Sequence, residues 1–141
     1  MKAGWAAAGR RQAGVMATWL GSFGAYPCLA WPVVPARPWV GAGADDLAVR
    51  VFGRALGARD LALGLGALAA LQHPASAPGS ASAWVAAGAL SDALDVAASA
   101  RSWRELPRTG RWLVAASAGG AALIGAAGAW SVRPAPHGAD A

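Results

Sequence analysis

Long apolar blocks, separated by short charged or proline-rich stretches, dominate the hydropathy pattern of the chain. The first uncharged run extends from Ala13 to Ala36, and the last, Trp112 to Ser131, contains no ionisable residue. About 20 apolar residues suffice for a helix to cross the hydrocarbon of a bilayer. The pattern therefore predicts an all-α transmembrane four-helix bundle, with helices at about 13–34, 47–72, 83–100 and 112–131 and a flexible tail at 132–141.

The first apolar segment departs from a simple helix because its second half carries Pro27, Pro32 and Pro35. Proline lacks the N–H that a helix interior needs. We expect a kink or an end near Tyr26, followed by an extended exit at the membrane interface. Two alternatives stay open for this segment: it crosses the membrane fully, or it is re-entrant and only three helices cross.

Tryptophans fall at or near the ends of the apolar segments, where indole rings settle at membrane interfaces. A soluble helical bundle also buries Trp. The fourth segment argues against that alternative, because a small soluble domain cannot enclose a helix that is apolar on all sides. The end-placed tryptophans are Trp31, Trp39, Trp84, Trp103, Trp112 and Trp130.

Composition agrees with a membrane protein. Only 13% of the 141 residues are charged and 56% are hydrophobic, whereas about 25% of the residues of a soluble domain are charged. A chain of this length and apolarity forms one domain, residues 1–141, and is excluded from the disordered class. Cys28 is the single cysteine, so an internal disulfide is excluded. The net charge of +5 does not indicate nucleic-acid binding, because most arginines mark the ends of apolar segments.

The loops suggest an orientation. Residues 72–82 contain no Lys or Arg, whereas residues 101–111 contain four Arg, which the positive-inside rule places in the cytoplasm. Lys2, Arg10 and Arg11 oppose this orientation if four helices cross. We expect a retained first helix rather than a cleaved signal peptide, and a multi-pass protein of the bacterial inner (plasma) membrane.

Ionisable residues inside the apolar segments are the candidate site. Charge at membrane depth costs at least about 2.5 kcal/mol per residue, so such groups need partners. Antiparallel pairing of the second and third segments places Asp60 level with Asp95. The four ionisable residues inside these segments then fall in one layer, the polar layer. Each segment also carries a stripe of small residues that predicts close helix packing. The polar layer is Arg59, Asp60, Asp92 and Asp95, and the packing positions are Gly53, Gly57, Gly64, Gly88 and Ser99.

Two interpretations of the polar layer stay open: a structural clamp that fixes helix register, and a proton-handling or small-ligand site. Other chemistry is not indicated. His73 and His137 have no neighbouring ligands at metal-binding spacing, and no catalytic set or cofactor motif is recognised. Whether the protein is an enzyme is left open, with a non-enzymatic role as the expectation.

The segment from Phe52 to Gly64, followed by Trp84 and the run Ala89–Asp95, resembles a family of small bacterial integral membrane proteins of unknown function. That family has four predicted helices, G-x-R-D-x-x-x-G on the second and D-x-x-D on the third. The resemblance, over roughly residues 47–131, implies a four-helix membrane fold and the same polar positions, but no activity. A distant similarity to DoxX-like proteins implies the alternative of a quinone-linked redox accessory subunit.

We therefore expect a structural or accessory membrane protein without cofactor or metal. Its expected partners are the lipid bilayer and either another membrane protein or a second copy of the chain, and nucleic acid is not among them. The alternative is a proton-coupled or small-molecule carrier that uses the polar layer.

Overall fold

The computed structural model describes residues 24–73 and 80–131, and this part of the chain is helical and contains no strand. Residues 24–30 form α1, and α2 is Val33–Val40, followed by a 3₁₀ helix at Gly41–Asp45. The three long helices are α3 (Leu47–Gln72), α4 (Ser80–Arg101) and α5 (Arg108–Ser131). The all-helical class is confirmed. Residues 13–23 of the predicted first helix and the predicted tail at 132–141 lie outside the described residues.

The prolines of the first segment divide it differently from the prediction. Pro27 lies within α1, where its carbonyl accepts a hydrogen bond from the N–H of Trp31 at 2.9 Å. The break comes at Trp31–Pro32, and residues 33–40 are helical. The expected kink at Tyr26 and extended exit are therefore wrong. Pro35 falls in the first turn of α2, where the missing N–H has no helical partner to lose.

The boundaries of the long helices follow local signals. Helix α3 begins directly after Asp45-Asp46 and ends at Gln72, as predicted. Helix α4 begins three residues before the predicted residue 83 and α5 four residues before the predicted residue 112, because serine and arginine that adjoin an apolar segment can still be helical. Pro107 directly precedes α5, consistent with the preference for proline at helix starts.

Glycines bring the helices close together. A Cβ at Gly57 of α3 would lie 2.7 Å from the carbonyl oxygen of Ala25 and 2.9 Å from the Cβ of Cys28. A Cβ at Gly125 of α5 would lie 2.9 Å from the Cβ of Ala89 on α4. These contacts leave no room for a side chain, so the backbones of neighbouring helices approach directly.

The start of α5 docks against the end of α2. Gly110 packs on the carbonyl oxygen of Trp39, and the Thr109 hydroxyl donates a hydrogen bond to the carbonyl of Pro38 at 3.3 Å. Within the α4–α5 connection, the Arg111 guanidinium donates to the carbonyls of Leu106 and Arg104, both at 3.0 Å. These bonds give the connecting turn a defined shape.

The buried core is very small. Within residues 24–73 and 80–131, Val114 is the largest fully buried side chain. Large apolar side chains such as Phe52, Leu123 and Ile124 are instead 73%, 75% and 62% exposed. The hydrophobic side chains that are buried are Ala25, Ala44, Ala67, Val114 and Ala129.

One of the described helices, α5 over Arg108–Trp130, is long and apolar enough to cross a membrane by length and composition. Only 11% of its most apolar stretch is buried against the rest of the protein. The core helix of a soluble protein would be mostly buried, and this helix is not.

We predict that Gly57→Ala destabilises the fold by about 1–3 kcal/mol, because the added methyl overpacks the contact with Ala25 and Cys28. The matched control is Gly88→Ala on α4, where a Cβ meets nothing within 4 Å. Alanine is the better helix former there by about 0.8–1 kcal/mol, so the control is expected to stabilise. Thermal unfolding in detergent measures both, and equal stability of the two variants would contradict the close approach at Gly57.

Candidate functional site: an ion-pair cluster between two helices

An arginine on α3 joins two carboxylates. The guanidinium of Arg59 donates from both terminal nitrogens to Asp95 on α4, at 3.2 and 2.7 Å. Its Nε also donates to Oδ1 of the adjacent Asp60, at 2.9 Å. A planar guanidinium presents its donors in a fork that matches a carboxylate, so this pairing fixes orientation as well as distance.

The cluster is partly open. The side chains of Arg59, Asp60 and Asp95 are 33%, 31% and 22% exposed. Antiparallel pairing of α3 and α4 predicts Asp60 at the level of Asp95. The bonded arginine is one residue away from Asp60, and its long side chain spans the gap between the helices. An arginine bonded to two carboxylates has the partners that a half-buried charge needs.

Asp92 stands apart from these bonds. It lies one helical turn before Asp95 on α4, within electrostatic range of Arg59, Asp60 and Asp95. None of the described residues donates a hydrogen bond to its carboxyl group, and no cation of the described part lies within 4 Å. Three carboxyl groups therefore share one guanidinium, and Asp92 is the group without a direct partner.

The predicted packing positions have different surroundings. Gly53 and Gly57 face the first segment, since a Cβ at Gly53 would lie 3.0 Å from the Cβ of Pro32. Gly64 and Ser99 are half-buried, one turn beyond Asp60 and Asp95. A Cβ at Gly88 would meet no atom of the described residues within 4 Å.

Sequence reasoning missed several close contacts. Gly66, not singled out as a packing position, faces the indole of Trp84, with ring carbons 2.7 Å from where its Cβ would lie. Gly125 of α5, also not among the predicted packing positions, packs on α4. The proximity of Cys28 to Gly57 was also not predicted, because one segment's periodicity does not show which neighbour it faces.

The cluster offers charge and hydrogen bonds, but no metal chemistry. In the part of the chain that the structure describes, no group of three or more His, Cys, Asp or Glu side chains is arranged to hold a metal ion. Arg59 binds anionic groups, and Asp92 can take up or release a proton. His73 lies at the end of α3 and outside the cluster, and His137 lies outside the described residues.

Comparison of the chain with family models, curated proteins and solved structures finds no match. The resemblance to the small four-helix membrane family and to DoxX-like proteins stays a prediction that depends on the two short motifs alone.

We predict that Asp95→Asn destabilises the fold by about 1–3 kcal/mol, because it removes the charged partner of a half-buried arginine. The matched control is Asp92→Asn, the same chemical change one turn away on the same helix. It is expected to leave the fold at least as stable, since the control removes no bond and takes away a charge that Asp60 and Asp95 repel. Unfolding in detergent measures both variants. Equal losses would mean that the Arg59–Asp95 bond does not hold the two helices together.

Proposed function

We propose that the chain is an integral membrane protein in which α3, α4 and α5 lie side by side across the bilayer. The observation that carries this proposal is the exposure of large apolar side chains over a nearly absent core. In water the burial of apolar surface is the main favourable term in folding. A helical protein whose largest fully buried described side chain is Val114 gains little from that term, whereas in lipid exposed apolar side chains carry no such cost.

The positions of the tryptophans support the same placement. Trp112 and Trp130 of α5 are 72% and 71% exposed, and they stand about 27 Å apart along the helix. Val85, the residue after Trp84 on α4, packs against Gly128 of α5. Trp84 therefore lies near the level of Trp130. The separation matches the roughly 30 Å of a hydrocarbon core with aromatic belts at its two faces.

Helices that carry charged side chains need those charges paired if they are to lie in the membrane. Helices α3 and α4 each carry ionisable residues that α5 lacks between Trp112 and Trp130. The Arg59–Asp95 bond neutralises one charge on each helix at the same level. We infer that α3 and α4 enter the membrane as a bonded hairpin, and that the cluster acts as a clamp for helix register.

Within this placement the function that fits best is structural or accessory. The exposed face of α5, including Leu123 and Ile124, is available to lipid or to a helix of another membrane protein. Association with a partner or a second copy would raise the mass measured for the detergent-solubilised protein after crosslinking. A strictly monomeric protein that crosslinks to nothing would remove the accessory role and leave the membrane placement intact.

We predict that Ile124→Lys disrupts membrane insertion, because a charge near the centre of a spanning helix costs about 2.5–3.5 kcal/mol. The matched control is Leu47→Lys. Leu47 is 69% exposed and lies at the start of α3, outside the apolar span. Retention in membranes after alkaline carbonate extraction is the measurement. If α5 faced water, Ile124→Lys would be as harmless as the control, and the membrane placement would be wrong.

A second candidate is a proton-coupled or small-molecule carrier, and the observation that favours it is the unpaired carboxyl group of Asp92. A carrier requires that water reach this group. In a Cys28→Ser background, Asp92→Cys should then react with a membrane-impermeant thiol reagent, whereas Ala86→Cys on the same helix should not. Absence of labelling at position 92 would favour the clamp over the carrier.

A further inference from the structure

Arginines gather at one end of the helical bundle. Arg59 contacts Asp95 and Gly66 contacts Trp84, so residue numbers rise along α3 while they fall along α4. The contacts of Gly125 with Ala89 and of Gly128 with Val85 show the same for α5 and α4. Helices α3 and α5 therefore run opposite to α4. The start of α3, the end of α4 and the start of α5 therefore lie together, and Gly110 against Trp39 brings the end of α2 to the same place. Residues 37–54 and 101–111 contribute seven arginines there, against Asp45, Asp46 and Glu105.

Two of these arginines are already engaged. Arg37 forms an ion pair with Asp45 at 2.7 Å, and Arg111 donates to carbonyls of the α4–α5 connection. The others are exposed, and no carboxylate of the described residues lies within 4 Å of them. These five, called here the arginine end, are Arg50, Arg54, Arg101, Arg104 and Arg108.

The rest of the bundle supplies no counter-charge. Among the described residues, the stretches 61–73, 80–91 and 112–131 contain no Asp, Glu, Lys or Arg. Even with Asp46 and Glu105 counted, the arginine end keeps a net positive charge, and anions from outside the described residues can balance it.

Aromatic rings lie at the same end. Trp103 and Trp112 form an edge-to-face pair with centroids 6.4 Å apart, and Trp112 is exposed beside the apolar face of α5. An arginine cluster at the same end as the exposed indole of Trp112 and an apolar belt matches the layering of a membrane interface, with phosphates outside and acyl chains inside. A nucleic acid would satisfy the arginines but not the apolar surface beneath them.

We propose that the arginine end binds anionic phospholipid headgroups, with the guanidinium groups donating to lipid phosphates. This inference rests on the proposed membrane placement and adds its lipid partner. It also sets the direction of the protein in the membrane, because the cytoplasmic leaflet carries the anionic surface that attracts basic segments.

The test uses the full-length protein in an uncharged maltoside detergent, with Tm measured as phosphatidylglycerol, phosphatidylcholine or inorganic phosphate is added. Binding to the folded state raises Tm. We expect phosphatidylglycerol to raise Tm and the other two to have little effect, with the response falling as NaCl increases. The triple variant R50Q/R54Q/R104Q should weaken phosphatidylglycerol binding roughly 100-fold, at roughly fivefold per arginine.

Two controls accompany this variant. R37Q removes an arginine from the same end that is already paired with Asp45, and should keep the response. R50K/R54K/R104K keeps the charge and should retain most of it, since lysine also binds phosphate. If the Gln variant does not fold, the deciding measurement is how the Tm response of the unsubstituted protein to phosphatidylglycerol depends on NaCl. A response unaffected by NaCl overturns the inference.

Equal effects of phosphatidylcholine and phosphatidylglycerol, or an equal effect of inorganic phosphate, would also overturn it. Failure of the membrane placement is recognised separately. If alkaline carbonate removes the unsubstituted protein from membranes, the proposed function has failed. If the protein is retained but shows no preference for the anionic lipid, only the present inference has failed.

Discussion

Direct approach of helix backbones is the constraint on which this structure depends. Gly57, Gly66 and Gly125 each lie where a Cβ would collide with a neighbouring segment. Packing of this kind gains dispersion energy and little burial of large apolar side chains. The large side chains are directed outward as a consequence, which explains both the small core and the apolar exterior. The same arrangement is poorly stabilised in water and well suited to lipid.

Close approach also explains why one arginine can serve two helices. Arg59 reaches Asp95 at 2.7 Å while it stays bonded to Asp60 beside it. Backbone packing through small residues limits sliding only weakly, because one small residue resembles the next. A forked guanidinium on a carboxylate has a single good register. In the proposed clamp, the ion pair supplies the specificity that the alanine- and glycine-rich surfaces of α3 and α4 lack.

The predictable parts of this fold are those with local causes. Helix α3 begins after an acidic pair and ends before His73-Pro74, so both boundaries could be recognised. The bond between Arg59 and Asp95 joins two positions that antiparallel pairing places within one residue of the same level. The division of the first segment did not follow, because Pro27 lies within α1 and Pro38 within α2, so a proline alone does not mark where a helix ends. The contact of Gly66 with Trp84 depends on helix rotation, and periodicity cannot define it when small and apolar residues surround the whole helix.

The location of the ion-pair cluster and the location of the arginine end are connected. Arg59 follows Arg54 by five residues, which places the cluster about 7.5 Å along α3 from the nearest exposed arginine. In the proposed placement, this distance is short enough for water and headgroups to reach the cluster, consistent with its 22–33% exposure. At the bilayer centre the same charges would be far more costly. The charges of the described residues therefore lie on one side of the bundle, and in the proposed placement this asymmetry also gives the protein a direction in the membrane.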